Sequence, residues 1–488
     1  MTQLPIYSGP VTQTAELTAQ PDDDHAADPT FGTGELIKST TSICPDCLKK
    51  IDATVYERKS AVLMDKECAE HGKFTARLAS ERRHYYVTDP NVESMVSCCG
   101  PGQHCGDQVE NHSCNMLIEI TQSCNLTCPT CYAGSSPQNK SFMSVEQFTE
   151  MVDGLLEKGK GDADLIQLSG GEPTIHPDFF EILEIALAKG IKQVYINTNA
   201  IKLSRREFAE RVASYGSRVS VYLQFDGFKP ATYGLLRGRE DLLETKLRAA
   251  ALCEELEINT VPTMTLTREI NDDEVGEFIR WASSQPRSIR KVMIQPAMYS
   301  GRYENPRLIE RMTVADVVNE ICMQTDNQFS ADDFTPIPCS DPNCFSLGVA
   351  IRTPAGLMPI SRYLPRYKDW ASKANQEMIA AVSDTFDSAG SFTDLMAKVV
   401  GSDALTGLDD EALDALLDLI ESLPEDAKDS HESQNWNGMF AIGIKPFMDA
   451  YSYDQDRIDK CCVHIISTDG TPVSFCEYNA INRATGNL

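Results

Sequence analysis

Between residues 115 and 325 the sequence alternates short apolar, β-rich runs with longer helical stretches. The six β-rich runs are NMLIEIT, DLIQLSG, QVYINTN, SVYLQFDG, NTVPTMTL and KVMIQPA. Stretches such as MSVEQFTEMVDGLLEKG and PDFFEILEIALAKG follow them and are typical of helices. Six strand–helix units in series predict an α/β fold with a parallel sheet and helices outside it. We therefore expect a partial (β/α)6 barrel, with its chemistry at the carboxyl ends of the strands.

Three cysteines at CxxxCxxC spacing follow the first predicted strand. They are Cys124, Cys128 and Cys131, and Tyr132 comes directly after the last of them. Three thiolates on one loop can hold three irons of a [4Fe–4S] cubane and leave the fourth iron open to a small chelating molecule. On spacing alone, a zinc site with a distant fourth ligand remains the alternative.

The second predicted strand ends in the turn SGGEPT, residues 169–174. Its two glycines let the backbone approach a ligand closely, and Glu172 can orient an ammonium group. Later strand ends carry polar side chains that we expect to face the same mouth of the barrel. These are Asn197, Thr198, Asn199, Gln224, Asp226, Thr263 and Gln295.

The CxxxCxxC loop followed by a GGEP turn strongly resembles the signature of the radical S-adenosylmethionine (SAM) superfamily. The resemblance implies a [4Fe–4S] cluster on the catalytic cysteines Cys124, Cys128 and Cys131. It implies contacts to the methionine end of SAM from Gly170, Gly171, Glu172 and Pro173, and places Tyr132 near the adenine. Expected contacts to the ribose and carboxylate are Asn199, Gln224, Asp226, Arg237 and Gln295. Such an enzyme reductively cleaves SAM to a 5′-deoxyadenosyl radical, which abstracts hydrogen from an unactivated carbon.

The N-terminal cysteines predict a separate metal knuckle. Two ligand pairs, Cys44 with Cys47 and Cys68 with His71, flank a short hairpin-like stretch. Such pairs suit one tetrahedral ion, either zinc or rubredoxin-like iron. Cys98 or Cys99 is the alternative to His71 as the fourth ligand.

The remaining clustered cysteines predict one or two auxiliary iron–sulfur clusters. A Gly-rich loop before the barrel carries Cys99, Cys105 and Cys114. The segments after the barrel carry Cys339, Cys344, Cys461, Cys462 and Cys476. Cys253 and Cys322 stand alone in helical patterns, and we interpret them as small buried side chains.

Four motifs together narrow the resemblance to one subfamily, matched over residues 40–485. They are CPxC…CxxHG, CG…H[ST]C, CNLxCPxCY and CCVH…FCxYN. This subfamily includes archaeal tetraether lipid synthase and the methanopterin-type radical SAM C-methylases. Its members commonly have a further cysteine between the CG and H[ST]C elements, which the stretch GDQVENHS lacks.

Three functions follow as hypotheses. The first is carbon–carbon bond formation between lipid chains, which predicts a long apolar tunnel. The alternative is radical C-methylation of a pterin-like small molecule, which predicts a compact polar pocket. Either reaction needs an electron donor such as ferredoxin or flavodoxin. A non-catalytic electron carrier or scaffold is disfavoured because the SAM-binding turn is intact.

Charge and hydropathy limit the partners. Acidic residues outnumber basic ones by 72 to 44, for a net charge of −28, which disfavours nucleic acid. No apolar run is long enough for a transmembrane helix, and the N-terminus does not resemble a signal peptide. We expect a cytoplasmic enzyme with, for a lipid substrate, peripheral access to the membrane. The expected units are a disordered leader (1–38), the metal knuckle (39–97), an auxiliary-cluster loop (98–114), the barrel (115–330) and a C-terminal auxiliary-cluster domain (331–488).

Overall fold

The computed structural model of the protein describes most of the knuckle, the barrel and parts of the C-terminal region. The described residues are 31–87, 113, 115–158, 165–303, 310–337, 340–353, 356–361, 438–467 and 470–486. Five of the cysteines predicted to bind auxiliary clusters lie outside them, namely Cys98, Cys99, Cys105, Cys114 and Cys339. The predicted leader up to residue 30 and the segment 362–437 also lie outside.

The N-terminal unit is a four-stranded antiparallel sheet in the order β1-β2-β3-β4. Its strands are β1 (Glu35–Ile43), β2 (Lys50–Arg58), β3 (Ala61–Cys68) and β4 (Gly72–Ala79). Val55, Val62 and Met64 form its small apolar core and are fully buried. Because so small a core stabilises a fold weakly, a bound metal ion would contribute directly to its folding.

Six parallel strands form the centre of a twelve-stranded sheet. They are β5 (Asn115–Thr121), β6 (Leu165–Gly170), β7 (Gln193–Thr198), β8 (Val219–Gln224), β9 (Thr260–Leu266) and β10 (Lys291–Pro296). The helices are α1 (Val145–Lys158), α2 (Phe179–Ala188), α3 (Arg206–Ala213), α4 (Pro230–Arg237), α5 (Leu242–Glu255), α6 (Val275–Ser283) and α7 (Val314–Gln324). All six predicted strands are present, and the predicted α/β class is confirmed.

Alternate residues of these strands point to opposite sides of the sheet. One set packs under the helices in the main core, and it includes Ile118, Leu168, Ile196, Val221, Met264 and Ile294. The other set faces inward and includes Leu117, Gln167, Asn197, Tyr222, Thr263 and Met293. The inward set is mixed in polarity because it lines a cavity.

The C-terminal region extends both edges of the same sheet. Its strands are β11 (Thr335–Pro336), β12 (Ser346–Thr353), β13 (Gly356–Pro359), β14 (Met439–Ile444), β15 (Val463–Ile466) and β16 (Pro472–Ser474). Strand β14 pairs in parallel with β10, and β15 pairs in parallel with β5. The described strands do not close the sheet by hydrogen bonds, so the barrel is partial. The sequence analysis missed these edge strands.

Aromatic side chains from the two edges meet across the opening. Phe447, just after β14, lies 4.4 Å from Phe475 between ring centroids. The short helix α8 (Gln455–Asp459) comes before β15. Phe475 begins the C-terminal helical run α9, which consists of Phe475–Glu477, Tyr478–Asn482 and Arg483–Thr485. It also packs edge-on against Tyr132, with centroids 5.6 Å apart. The two edges of the sheet are not joined by hydrogen bonds among the described strands. Side chains of the C-terminal region fill the gap between them.

The knuckle sheet docks on the C-terminal region through buried polar contacts. Lys38 pairs with Asp454 at 2.7 Å, and Ser42 donates to the Tyr453 carbonyl at 2.6 Å. Lys66 is 2% exposed and donates to the Ala450 carbonyl at 2.6 Å. Because unpaired buried donors are costly, these contacts define how the two units dock.

Within the described part of the chain, no helix combines the length and the apolar character needed to cross a lipid bilayer.

A buried ion pair between Glu119 and Arg483 ties α9 to the first core strand, at 2.6 Å. The two side chains are 7% and 9% exposed. We expect Arg483→Met to lower the free energy of unfolding by roughly 3–5 kcal/mol, because it leaves the Glu119 carboxylate buried without its partner. Urea denaturation measures this loss.

Arg206→Met is the matched control, because Arg206 and Glu255 form a half-exposed pair. This control should have little effect. The double variant Glu119→Gln/Arg483→Met should recover part of the loss. A single variant as stable as its control would contradict a structural role for the pair.

Candidate functional site

The three cysteines of the CxxxCxxC loop line one cavity at the carboxyl ends of the core strands. The cavity has a volume of about 270 Å³. Backbone hydrogen bonds shape the loop: Leu126 N–H donates to the Cys124 sulfur at 3.4 Å, and Cys131 N–H to the Cys128 carbonyl at 3.3 Å. The three thiols therefore lie at the carboxyl ends of the strands, where enzymes with such barrels have their active sites.

The spacing of these thiols fits a cubane better than a single ion. A tetrahedral zinc holds its sulfur ligands about 3.8 Å apart, since each Zn–S bond is about 2.3 Å long. Among the described residues, only the knuckle brings three or more ligand atoms within 4.8 Å of one another. The sulfurs of Cys124, Cys128 and Cys131 do not all lie within that distance of one another, as ligands of one tetrahedral ion would. The zinc alternative is therefore disfavoured at this loop.

Burial raises the pKa of the Cys124 thiol to about 12 and also raises the pKa of Cys128. These thiols are consequently neutral in the metal-free protein at pH 7. A coordinating metal deprotonates a thiol outright, so cluster binding would release protons. This environment fits metal ligands rather than free nucleophiles.

The glycines of the 169–174 turn pack against the cysteine loop. A Cβ atom on Gly170 would lie 2.0 Å from the Thr121 carbonyl oxygen, and one on Gly171 would lie 2.1 Å from that of Ser123. Gly171 N–H also donates to Thr121 at 2.8 Å. The sequence analysis attributed the glycines to the approach of a ligand. The structure shows a different close approach, between the ends of two neighbouring strands.

Glu172 lies in this turn with 1% exposure, and four donors hold its carboxylate. Oε1 accepts from the Thr174 hydroxyl and N–H and from the Thr198 hydroxyl, while Oε2 accepts from Asn199 N–H at 2.7 Å. Burial raises the pKa of Glu172, whereas these hydrogen bonds lower it. Oε2 accepts only one described hydrogen bond and can take a second from a cationic ligand.

Arg237 and Asp226 form a bidentate ion pair, with both contacts at 2.7 Å. Asp226 is fully buried and does not line the cavity, whereas Arg237 does. Arg237 Nη2 also donates to the Thr265 hydroxyl at 2.9 Å. Asp226 therefore orients Arg237, and only the guanidinium reaches the cavity.

Lys246, on α5, is a buried cation that the sequence analysis missed. It is 0% exposed and donates to the Asn199 carbonyl and to Gln224 Oε1. Burial lowers the pKa of Lys246 to about 7. Asn199 in turn donates to Asn125 of the cysteine loop at 2.6 Å. A single lysine in a helical pattern carries no signal in the sequence that could have identified it.

The structure brings most of the predicted site residues to one cavity. Its lining includes Cys124, Cys128, Cys131, Tyr132, Gly170, Gly171, Glu172, Asn197, Thr198, Asn199, Gln224, Arg237, Thr263 and Gln295. Pro173 and Asp226 lie outside the lining. Lining residues that the sequence analysis missed include Asn115, Gln167, Tyr222, Lys445, Phe447 and Phe475. Strand alternation could have indicated Gln167 and Tyr222.

Side-chain amides give the cavity floor its hydrogen-bonding character. Asn197 Nδ2 donates to Gln167 Oε1 at 3.0 Å. The Oδ1 atoms of Asn197 and Asn115 are buried and have no hydrogen-bond partner among the described residues. Unpaired buried acceptors are costly, so these amides favour a ligand that donates hydrogen bonds.

The knuckle ligands converge as predicted. The ligand atoms of Cys44, Cys47, Cys68 and His71 all lie within 4.8 Å of one another. His71 Nδ1 is 3.4 Å from the Cys68 sulfur and 3.6 Å from that of Cys44. Hydrogen bonds from the Glu70 backbone and from His71 lower the pKa of Cys68 to about 6. Among the described residues, His71 thus completes a four-ligand set; Cys98 and Cys99 lie outside them.

The C-terminal thiols come together only in part. Burial, and then the nearby Cys461 and Cys344, raise the pKa of Cys476 to about 12. Arg457 donates to the Cys344 sulfur at 3.4 Å, and Met448 N–H to that of Cys476 at 3.3 Å. Among the described residues these thiols form no compact single-ion group. An auxiliary cluster here stays a prediction.

Two family models match this chain. The radical SAM superfamily matches residues 118–282, and the HMPTM N-terminal zinc ribbon domain matches residues 36–80. The second match coincides with the knuckle sheet. The first covers the cysteine loop, the GGEP turn and the core strands up to β9.

Individual relatives extend these matches. The 7,8-dihydro-6-hydroxymethylpterin dimethyltransferase of Methanocaldococcus jannaschii is 29% identical, over 91% of this chain and 94% of that protein. The GTP 3′,8-cyclase of Tolumonas auensis is 31% identical, over 39% of this chain and 56% of that protein. The crystal structure of Streptococcus suis SuiB bound to S-adenosylmethionine aligns with a TM-score of 0.36 and 16% identity, over 44% of this chain and 48% of that one.

Loss of one knuckle ligand should abolish metal binding at the knuckle. We expect Cys68→Ser and His71→Ala to lose one zinc or iron per chain, whereas His71→Cys should retain it because a thiolate replaces the imidazole. Elemental analysis of the full chain measures this stoichiometry. Cys322→Ala on α7 is the control. Unchanged metal content in Cys68→Ser would show that the ion is held elsewhere.

Proposed function

Because this chain belongs to the radical SAM superfamily, we propose that it methylates a carbon atom of a small, pterin-like heteroaromatic substrate. The observation that carries the proposal is the compact cavity with amide side chains at its floor. The relative that is similar over most of this chain is named as a pterin dimethyltransferase, which favours this substrate class over the lipid chains of the first hypothesis. We therefore replace that hypothesis with the alternative given beside it.

The cofactors fit the residues present. Cys124, Cys128 and Cys131 would hold the [4Fe–4S] cluster, and SAM would occupy the cavity beside it. When bound, the pair would supply a 5′-deoxyadenosyl radical that takes a hydrogen atom from the substrate carbon. A second SAM molecule would donate the methyl group to that carbon and, with one further electron from the reductant, leave as S-adenosylhomocysteine. Ferredoxin or flavodoxin would deliver the electron, and the chain's own residues would bind, orient and enclose the reactants.

Two charged groups on the cavity wall would orient SAM. The fixed carboxylate of Glu172 would accept a hydrogen bond from the methionine ammonium group, since Oε2 has an open acceptor position. Arg237, held in place by Asp226, would donate to the methionine carboxylate. Both side chains are hydrogen-bonded in advance, so little side-chain entropy is lost on binding.

The substrate would bind on the inward faces of the strands. Gln167 and Asn197 form a hydrogen-bonded pair of amides that offers donors and acceptors, and Tyr222 and Phe447 add aromatic surface. A pterin has a flat ring and an edge of alternating donors and acceptors, which suits such walls. The full-length relative named as a pterin dimethyltransferase supports the same substrate class.

The C-terminal thiols would serve electron transfer. As part of the proposal, Cys344, Cys461, Cys462 and Cys476 would hold an auxiliary cluster together with Cys339. The Arg457 guanidinium, which donates to the Cys344 sulfur, would balance the negative charge of such a cluster. Phe475, next to Cys476, contacts Tyr132, next to Cys131, so the chain segments that carry these two cysteines are in contact.

The decisive experiment follows deuterium from labelled substrates. The protein is reconstituted anaerobically with iron and sulfide, reduced, and supplied with SAM and either a deuterated 6-hydroxymethyl-dihydropterin or deuterated ether lipid. We expect deuterium in 5′-deoxyadenosine or a methylated product from the pterin alone, as measured by mass spectrometry. Transfer from the lipid would reverse the substrate assignment.

The cavity amides allow a test by substitution. We expect Asn197→Leu and Gln167→Leu to weaken pterin binding at least tenfold, since one lost hydrogen bond costs about 1.4 kcal/mol. Iron content and SAM binding should stay unchanged. Gln285→Leu, outside the cavity, is the control. Equal pterin affinity in all three variants would place the substrate elsewhere.

A further inference from the structure

The segment after β10 holds the cysteine loop with one arginine. Arg302 Nε donates to the Cys128 carbonyl at 3.0 Å, Nη1 to Gly134 at 2.7 Å and Nη2 to Ser135 at 2.6 Å. Its backbone N–H donates to the Cys131 carbonyl at 3.0 Å. Arg302 thus binds the cysteine loop through all three guanidinium nitrogens and through its main chain. Its contacts run from Cys128 to Ser135 and so lie on both sides of Cys131.

Gly301, which precedes Arg302, allows the main chain to come this close to the cysteine loop. Gly301 has a φ of +65°, and a Cβ atom there would lie 2.3 Å from the Tyr132 carbonyl oxygen and 2.4 Å from that of Cys131. Only glycine tolerates both this backbone conformation and this distance. The main chain of residues 301–302 therefore lies directly against the loop.

The segment is itself anchored away from the loop. Tyr299 N–H donates to the Asp449 carboxylate at 3.0 Å, and the Ser300 hydroxyl donates to the Asn479 carbonyl at 3.1 Å. Asp449 is fully buried and pairs with Arg311. Arg302 consequently lies in a segment that connects the cysteine loop to the C-terminal region.

We propose that Arg302 is a positioning residue that sets the relative placement of the loop thiols and so controls cluster assembly and SAM binding. Other hydrogen bonds join the loop to the barrel: Glu172 N–H donates to the Ser123 carbonyl, Asn199 donates to Asn125, and the Thr130 hydroxyl donates to the Leu236 carbonyl. None of these three reaches residues 131–135, which Arg302 contacts. Without the guanidinium, the carbonyls of Gly134 and Ser135 lose the arginine donors that hold them, and the Cys128 carbonyl keeps only the N–H of Cys131. The inference concerns the cysteine loop and does not depend on the substrate proposed above.

A lysine cannot replace this arginine fully. The guanidinium is planar and carries five N–H donors in fixed directions, whereas an ammonium group is a single point with three donors. The carbonyls of Cys128, Gly134 and Ser135 are reached by three separate nitrogens. Arg302→Lys should therefore retain the charge and only part of the hydrogen bonding.

The test compares Arg302→Met and Arg302→Lys with wild type, and Arg239→Met serves as control. Arg239 also binds with two nitrogens, but to the exposed Asp241 away from the cavity. Each reconstituted protein is measured without substrate for iron per chain, the electron paramagnetic resonance spectrum of the reduced cluster with and without SAM, and SAM affinity.

We expect Arg302→Met to bind less iron, to give a broadened spectrum that SAM alters little, and to bind SAM at least tenfold more weakly. Arg302→Lys should be intermediate, and Arg239→Met should match wild type. Knuckle metal content should be unchanged in all variants. Wild-type iron content, spectrum and SAM affinity in Arg302→Met would overturn the proposal.

If Arg302→Met is thermally less stable than the control, the SAM affinity of Arg302→Lys is used to test the proposal instead. SAM affinity weakened at least threefold in a stable Arg302→Lys supports the proposal, and wild-type affinity contradicts it. Because no substrate is present, these outcomes are distinct from success or failure of the pterin assignment.

Discussion

The site depends on the close contact between the GGEP turn and the backbone of the cysteine loop. Side chains at Gly170 and Gly171 would overlap carbonyl oxygens of Thr121 and Ser123 at about 2 Å, so two successive glycines are required. This contact places Glu172 beside the cysteine loop and lets Thr198 and Asn199 of the next strand end hold its carboxylate. Functional side chains that follow β5, β6 and β7 thus meet at one edge of the sheet, because the carboxyl ends of parallel strands lie at the same edge.

The C-terminal region extends the six-stranded core sheet at both edges and covers the gap between these edges. It adds β14 beside β10 and β15 beside β5, and Phe447 and Phe475 meet across the gap. The same region fixes the segment around Tyr299 through Asp449 and binds the knuckle through Ala450, Tyr453 and Asp454. Residues distant in sequence therefore build one wall of the cavity and also the support beneath the cysteine loop.

The cavity also explains why substrate class was difficult to infer from motifs. The cysteine loop and the turn are shared by the two chemistries considered, because both begin with SAM. The side chains that would distinguish a flat polar ring from a lipid tail are Gln167, Asn197 and Tyr222. They lie on the inward strand faces. Strand alternation indicates that face, but no motif says which substrate these side chains contact.

By itself, the sequence predicted six core strands in series, the loop with its three thiols, the turn and three of the four side chains that converge at the knuckle; it left the fourth open between His71 and Cys98 or Cys99. Each of these is local: short-range spacing and hydropathy specify it, and alternation predicts which face each strand residue occupies. Tertiary structure alone decided the edge pairing of β14 and β15, the burial of Lys246 and Asp226, and the contacts of Arg302. These depend on residues that are distant along the chain, as between Arg302 and Cys128, and no local pattern encodes such pairings.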